Sequence, residues 1–510
     1  MPNTTKESTS IASRVAEATR RSDRLNPLIG SVLRPLADRD AEAARLDRAS
    51  ADGEPRGPLH GMLLGVKDVI ATADGPTTGQ SRVHDPDWWA GRDAPVVRRL
   101  RAAGAIVVGK TTLAEHALSR PEPDDGFPVP RNPWDLDRWT GGSSSGSANG
   151  VAAGLFDAGI GTDCNGSIRI PAAMCGVTGL KPTYGLVSTR GCHPLSRSTD
   201  TVGPQARDVR DCAALLAVLA GRDAGPRWRD DLTGVRIGVP ADLLDLAGLS
   251  DGCRAAFDAS LDRLRACGAT VVGVAVPVPD AFALFAAQIL TVVVEAFEVH
   301  GSALRDRWDS YGRPFRRTAV LGGLIRGETY VRAQRVRQQG AHRLADHLTE
   351  VDAIATPTWP TVAPRFDDPE GMQQVSPLPT IWSAVGFPAV ALPNGVDAAG
   401  LPYSLQLAGA PGNDFGLAAI ADVYQRSTSW HLRGPADPVR PVDGPAAPRP
   451  PGGADAMIDE GLGRALRDLG VPVTDDECGQ LAGTWARMGA LVQLLPEVPA
   501  DVAPLASAPR

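Results

Sequence analysis

The alternation of apolar and polar positions divides the chain into short apolar runs and longer amphipathic stretches. Residues 1–60 read as helical, with "IASRVAEATRRSDRLNPLIGSV" giving way to the charged "RDAEAARLDRAS". "GMLLGVKDVI" (61–70) follows as a buried strand running into a turn. "DAPVVRRLRAAGAIVVGKTTLAEHAL" (93–118) reads as helix, glycine turn, apolar strand "AIVVG" and a further helix. "GVRIGVP" (234–240) and "ATVVGVAVPVP" (269–279) are strands on either side of the helical "RAAFDASLDRLRACG". "VDAIATPTWP" (351–360) and "PAVALPNG" (388–395) are core strands that end in Pro/Gly turns. Strands alternating with helical segments predict an α/β fold.

The most apolar run, "AFALFAAQILTVVVEAF" (281–297), carries Gln288 and Glu295 and is short for a membrane span, so it reads as a buried helix. Residues 435–454, "PADPVRPVDGPAAPRPPGGA", show neither period and form a Pro/Gly/Ala-rich linker, semi-extended because of its prolines. This separates a large unit, 1–434, from a small helical module, 455–510. In the module Ile458, Leu462, Ala465, Leu466 and Leu469 recur at helical spacing. "TDDE" is a capping box in which Thr474 caps the next helix and Glu477 reaches back to its start. Leu481, Trp485, Met488, Val492 and Leu495 then form one apolar stripe. Two helices bury little surface alone, so the module is expected to dock on the large unit or between copies of the chain, as a homo-oligomer contact.

Composition narrows the function classes. A net charge of −7 over 510 residues argues against a nucleic-acid partner and against an anionic membrane. "MPNTTKESTS" has no apolar core of a secretory signal. Seven cysteines without a CxxC pair read as reduced thiols, so a cytoplasmic location is expected; Cys164 and Cys175 read as small buried residues. His and Cys show no metal-ligand spacing, so no metal site is expected, and His116 and His193 read as structural. Lysine occurs only at Lys6, Lys67, Lys110 and Lys181, whereas arginine is abundant. Coding bias accounts for such scarcity, but lysine differs from arginine in being able to lose its proton when buried.

The chemistry concentrates around "TGGSSSGSANG" (140–150). A flexible linker is a poor reading, because patterned segments flank the stretch closely. A phosphate loop would end in Gly-Lys-Ser/Thr, which is missing. Gly142, Ser144 and Gly146 match G-x-S-x-G, but a nucleophile elbow needs a strand before it, and "PRNPWDLDRW" does not read as one.

Together with "LHGMLLGVKDVI", "RNPWDLDRWTGGSSSGSANGVAAG", "GTDCNGSIRIPAAMCGVTGLKPTYG", "STDTVGP", "GLPYSLQLAGAPGND" and "TSWHLRGP", this stretch resembles the amidase signature family over roughly residues 5 to 435. The resemblance implies a mixed central sheet covered by helices on both faces, no cofactor, and catalysis by a serine relay. It implies Ser167 as nucleophile, Ser143 as the bridging serine that follows a cis peptide bond, and Lys67 as general base. The backbone N–H groups of Cys164, Asn165, Gly166 and Ser167 would form the oxyanion hole, with Ser144, Asp163 and Arg169 supporting the loop. The residue types suit the task. A serine hydroxyl needs a base to take its proton. Lysine serves as that base only when burial keeps it neutral, and a hydroxyl between them both accepts and donates.

Where many members have two glycines before the nucleophile, this chain has Asn165, which tolerates unusual dihedrals. "NGSIR" resembles a subgroup related to carboxybiuret hydrolase, which cleaves small urea-like amides. The segment after Glu115 lacks an asparagine often found there, and Ser383 stands where asparagine is common. Residues 455–509 resemble the small two-helix partner subunit of some amidases, here joined through the linker at high effective concentration. The implied function is hydrolysis of a small carboxamide or urea-like molecule. The alternatives are the glutaminase subunit of a tRNA-dependent amidotransferase and a catalytically silent scaffold.

Overall fold

A computed structural model describes residues 10–437, except 55, 122–125, 223–224 and 277, and residues 460–498. Among them thirteen strands form. In chain order they are β1 (Val32–Pro35), β2 (Leu63–Lys67), β3 (Ile106–Thr111), β4 (Arg131–Asn132), β5 (Asp135–Trp139) and β6 (Ala158–Asp163). There follow β7 (Thr178–Lys181), β8 (Thr201–Ala206), β9 (Arg236–Val239), β10 (Thr270–Gly273), β11 (Ala353–Pro357), β12 (Ala389–Val396) and β13 (Pro402–Ala408). Eleven of them make one sheet in the order β1-β3-β2-β6-β8-β7-β12-β13-β11-β9-β10, and β4 pairs with β5 alone.

The sheet is mixed. β2 runs parallel to β3 and β6, and β9 runs parallel to β10 and β11. The strands between, β6-β8-β7-β12-β13-β11, pair antiparallel. The central strands are buried at every position, as in β2, β6 and β8, because helices cover both faces. The expected α/β class and mixed sheet are therefore what this chain builds.

Three local expectations need correction. Residues 1–60 are not helical throughout: the helix Ile11–Ile29 stops at Gly30 in the left-handed region, and β1 then pairs antiparallel with β3. The helix expected after "AIVVG" does not form, because tertiary acceptors take the backbone donors there. Thr112 N–H goes to Ser31, Leu113 N–H to the Gln80 side chain, Ala114 N–H to Ser143 and His116 N–H to Gly79. What remains is one turn, Glu115–Ala117, with His116, Ala117 and Ser119 at positive φ. The segment expected as a strand over 269–279 is strand only at β10, and a helix begins at Val278.

The apolar run 281–297 lies inside the 29-residue helix Val278–Asp306. Its stretch 280–306 is long and apolar enough to cross a membrane, but it is core here. Ala286, Ala287 and Leu290 are fully buried, as are the Gln288 and Thr291 side chains.

Linker residues 438–454 and Ile458 lie outside the described residues. Pro435–Asp437 are described, and Asp437 pairs with Arg21 and Arg24. Helix Asp475–Gln493 packs on the long helix and helix Glu460–Asp468 on the turn Val320–Leu324, and both join the long helix's apolar cluster through Leu462, Leu466, Leu481 and Met488. The capping box forms as its sequence requires, with Glu477 N–H on the Thr474 hydroxyl and Thr474 N–H on the Glu477 carboxylate. The Glu477 side chain also accepts from Trp308 Nε1 at 2.9 Å and from Arg316 at 2.7 Å. The cap thus doubles as an anchor to the large unit.

Candidate active site

Lys67 is the last residue of β2, and β2 lies beside β6 in parallel register. This places the Lys67 side chain next to Thr162 near the end of β6. Lys67 is fully buried; its Nζ donates to Ser143 Oγ at 2.7 Å and to Thr162 Oγ1 at 2.8 Å. Burial lowers its pKa to about 8. The surface ion pair with Asp68 that adjacency would suggest does not form. Asp68 instead pairs with the buried Lys110 at 3.2 Å.

The Gly142–Ser143 peptide is cis. Ser143 and Ser167 line one cavity, and Ser144 N–H donates to the Ser167 carbonyl at 3.1 Å, tying the two serine segments together. Ser143 and Ser167 keep slight exposure, 4% and 8%, whereas Ser144 has none. The Ser144 hydroxyl donates to the Thr162 carbonyl at 3.1 Å and accepts from Thr162 N–H at 3.2 Å. A strand, β5, does precede the triplet and a helix, Ser145–Ala152, does follow it, contrary to the sequence reading of "PRNPWDLDRW". The elbow still fails, because the Ser144 hydroxyl is sealed against β6.

The loop that presents Ser167 is built around one carboxylate. Asp163 accepts from the backbone N–H of Gly166 at 2.8 Å and of Ile168 at 3.1 Å. It also accepts from Ser383 Oγ at 2.9 Å and from Arg169 at 3.0 and 3.1 Å. Arg169 continues to Gln406 and Ser383, both at 2.8 Å. Burial alone would raise the Asp163 pKa, but the Arg169 charge and these donors bring it down to about 2. Replacing Asp163 by Ala leaves the fully buried Arg169 without its counter-charge. The expected outcome is a loss of about 3–5 kcal/mol of stability in chemical denaturation, with activity lost alongside.

The four amides expected to face an oxyanion do not stand alike. Gly166 N–H is already engaged by Asp163. Among the described residues no acceptor engages the amides of Asn165 or Ser167. The carbonyl of Cys164 accepts from Gln288 Nε2 at 2.5 Å, which fixes the peptide that carries the Asn165 N–H. The left-handed residue before Ser167 is Gly166, at φ +95°, not Asn165. A Cβ at Gly166 would approach Ile170 Cδ1 to 2.7 Å and Pro379 Cβ to 2.9 Å, so only glycine fits there.

The cavity holds about 210 Å³. Phe285, Ile289, Val292, Trp359 and Met488 give it apolar walls, and the turn Ala117–Arg120 closes one side. Arg120 stacks over Trp139 at 4.6 Å, and burial lowers its pKa to about 10. Among the described lining residues it is the one cation.

The family model described as Amidase matches residues 14–417. The chain belongs to the amidase family. Similarity to a glutamyl-tRNA(Gln) amidotransferase subunit of Roseiflexus sp. (strain RS-1) is 39% identity, covering 78% of this chain and 90% of that protein. A crystal structure of an amidase superposes with a TM-score of 0.75 at 33% identity, over 82% of this chain and 96% of its own. A structure of a vestigial protein complex bearing on the evolutionary origins of an s-triazine catabolic enzyme gives a TM-score of 0.74 at 30% identity. It covers 82% of this chain and 95% of its own.

Within this amidase fold, Thr162, Gln288 and Arg120 stand at the candidate site, a role that the sequence alone does not assign to them. Thr162 sits in the quoted block "GTDCNGS", but only the β2–β6 register shows that its hydroxyl meets Lys67. Gln288 was legible as the one amide in a nearly continuous apolar run. Arg120 carried no signal, being one arginine among many.

Proposed function

We propose that the chain is an amidohydrolase that cleaves a small carboxamide or urea-like C–N bond through Ser167, Ser143 and Lys67. The observation that carries this is a fully buried lysine of lowered pKa, 2.7 Å from a serine that shares a cavity with Ser167. With Lys67 neutral, and with the Ser167 hydroxyl turned onto Ser143 Oγ, Ser167 passes its proton to Ser143 while the Ser143 proton moves to Lys67 Nζ. The freed Ser167 oxygen attacks the carbonyl carbon, and the amides of Asn165 and Ser167 receive the developing oxyanion. The relay returns the proton to the leaving nitrogen, which departs as ammonia or an amine. Water activated by the same relay then hydrolyses the ester on Ser167.

The cavity volume supports a small substrate. Arg120 supports one that carries a carboxylate or similar anion beside the scissile amide. Arg120→Ala is expected to raise KM for anionic amides about ten- to hundredfold with a smaller change in kcat, read from steady-state ammonia release. Neutral amides of equal size should lose far less.

Met488 brings the C-terminal module to the cavity wall. This supports a module that docks in cis and helps to shape the substrate space.

A second reading is glutamine hydrolysis within an amidotransferase, which the relatives named as amidotransferase subunits favour. The two separate in one assay of ammonia release by the chain alone. Turnover of biuret-like or malonamate-like amides, with glutamine inert, supports the amidohydrolase. Turnover of glutamine that appears only with added amidotransferase partner subunits supports the second reading.

A further inference from the structure

Spacing along the chain offers no metal-ligand pattern, yet the fold gathers His116, His193 and His300 from three separate segments. One ring nitrogen from each lies within 4.8 Å of the other two. The ring centroids are 4.9 Å apart for His116–His193, 4.4 Å for His116–His300 and 5.4 Å for His193–His300. We propose that these three histidines form a transition-metal site, suited best to Zn(II), that clamps together three walls of the active-site cavity.

Hydrogen bonding supports the assignment. The His116 Nε2 is held at 3.0 Å by the Val83 carbonyl, and the His300 Nδ1 lies 3.1 Å from the Tyr311 hydroxyl. The opposite nitrogens, His116 Nδ1 and His300 Nε2, are buried with no hydrogen-bond partner among the described residues, and so is His193 Nδ1. A ring fixed through one nitrogen and bare at the other is how a metal-bound imidazole is oriented. His116 and His300 are more than nine-tenths buried, and buried bare nitrogens are costly unless something binds them.

The surroundings fit as well. Gly79, at φ +63°, keeps side chains away from His116 Nδ1, since a Cβ there would stand 2.5 Å from that atom. Zinc bonds of about 2.0–2.1 Å place tetrahedral ligand nitrogens about 3.3 Å apart, within reach of small ring movements here. Three imidazoles leave a fourth position for water.

Each ligand borders the cavity through its own segment. Ala117 and Leu118 follow His116, Leu195 lies two residues after His193, and His300 shares the long helix with Ile289, Val292 and Val293. The metal would therefore hold the cavity walls in register.

The test uses the full chain, stripped with a chelator, dialysed against Zn(II), and analysed for bound metal by mass spectrometry. One equivalent per chain is expected, with at least about a hundredfold weaker binding in His193→Gln and in His300→Gln, each checked for folding by circular dichroism. Co(II) in the unmodified chain should give the visible ligand-field bands of a tetrahedral nitrogen site, a readout that needs no variant. Less than about a tenth of an equivalent bound, or binding unchanged in the folded variants, overturns the proposal; so does Co(II) without those bands. Because the readout is metal binding, it stands apart from the success or failure of the amidase assay.

Discussion

Ser167→Ala is expected to lower kcat on small amides by about four to six orders of magnitude, leaving a folded protein. The size of the loss follows from the loss of the covalent route, with only the oxyanion donors and substrate binding left to act. A structural role for the hydroxyl predicts the reverse pattern. Among the described residues nothing bonds the Ser167 hydroxyl, so stability should change by no more than about 0.5 kcal/mol in denaturant titration. A variant that unfolds, or one that retains more than about a tenth of wild-type kcat, contradicts the assignment of Ser167 as nucleophile.

The second large effect belongs to Lys67. The lowered pKa has a definite sign in the pH profile, because the base works only when neutral. Below about 8 most Lys67 is protonated, so kcat/KM should rise close to tenfold per pH unit, then level off above about 8. Lys67→Met should remove that limb and cost about two to four orders of magnitude in rate. Stability carries the same signature. The unfolded chain keeps its lysine proton to about 10.4, so between about 8 and 10.4 it binds more protons than the folded chain. Stability should therefore increase with pH across that window, and Lys181, lowered by burial to about 7, acts in the same direction. In Lys67→Met the Lys67 share of that increase disappears. A flat wild-type rate profile from pH 6 to 9 contradicts the relay.

How much of this could be read from the sequence depends on the range of the interactions involved. The strands "GMLLGVKDVI", "VDAIATPTWP" and "PAVALPNG" were legible because burial on both faces leaves a short continuous apolar run. The capping box was legible because it closes within four residues. The scarcity of lysine was also informative, since Lys67, Lys110 and Lys181 all prove to be fully buried.

The segment "TTLAEHAL" carries a helical pattern that is local, whereas the acceptors that hold it open come from Ser31, Gln80, Ser143 and Gly79. The part of the site carried by long-range register was invisible for the same reason. Nothing near Lys67 in sequence announces Thr162, and nothing near Asp163 announces its bond from Ser383. The histidine cluster is the extreme case, with ligands 77 and 107 residues apart that no spacing rule would connect. Family resemblance supplied what local pattern could not, namely the proposed pairing of the serine triplet with Ser167, 24 residues after Ser143. It also suggested an oxyanion donor, Gly166 N–H, that Asp163 already occupies.

In the proposed mechanism Ser167, and not a serine of the triplet, attacks the substrate with Lys67 as its base. Treatment with a fluorophosphonate probe, followed by peptide mass spectrometry, tests it most directly. Stoichiometric label on Ser167 is expected, with labelling of the folded Lys67→Met variant slowed by at least about a hundredfold. Label on Ser144, or on Ser167 at an undiminished rate in Lys67→Met, would contradict it.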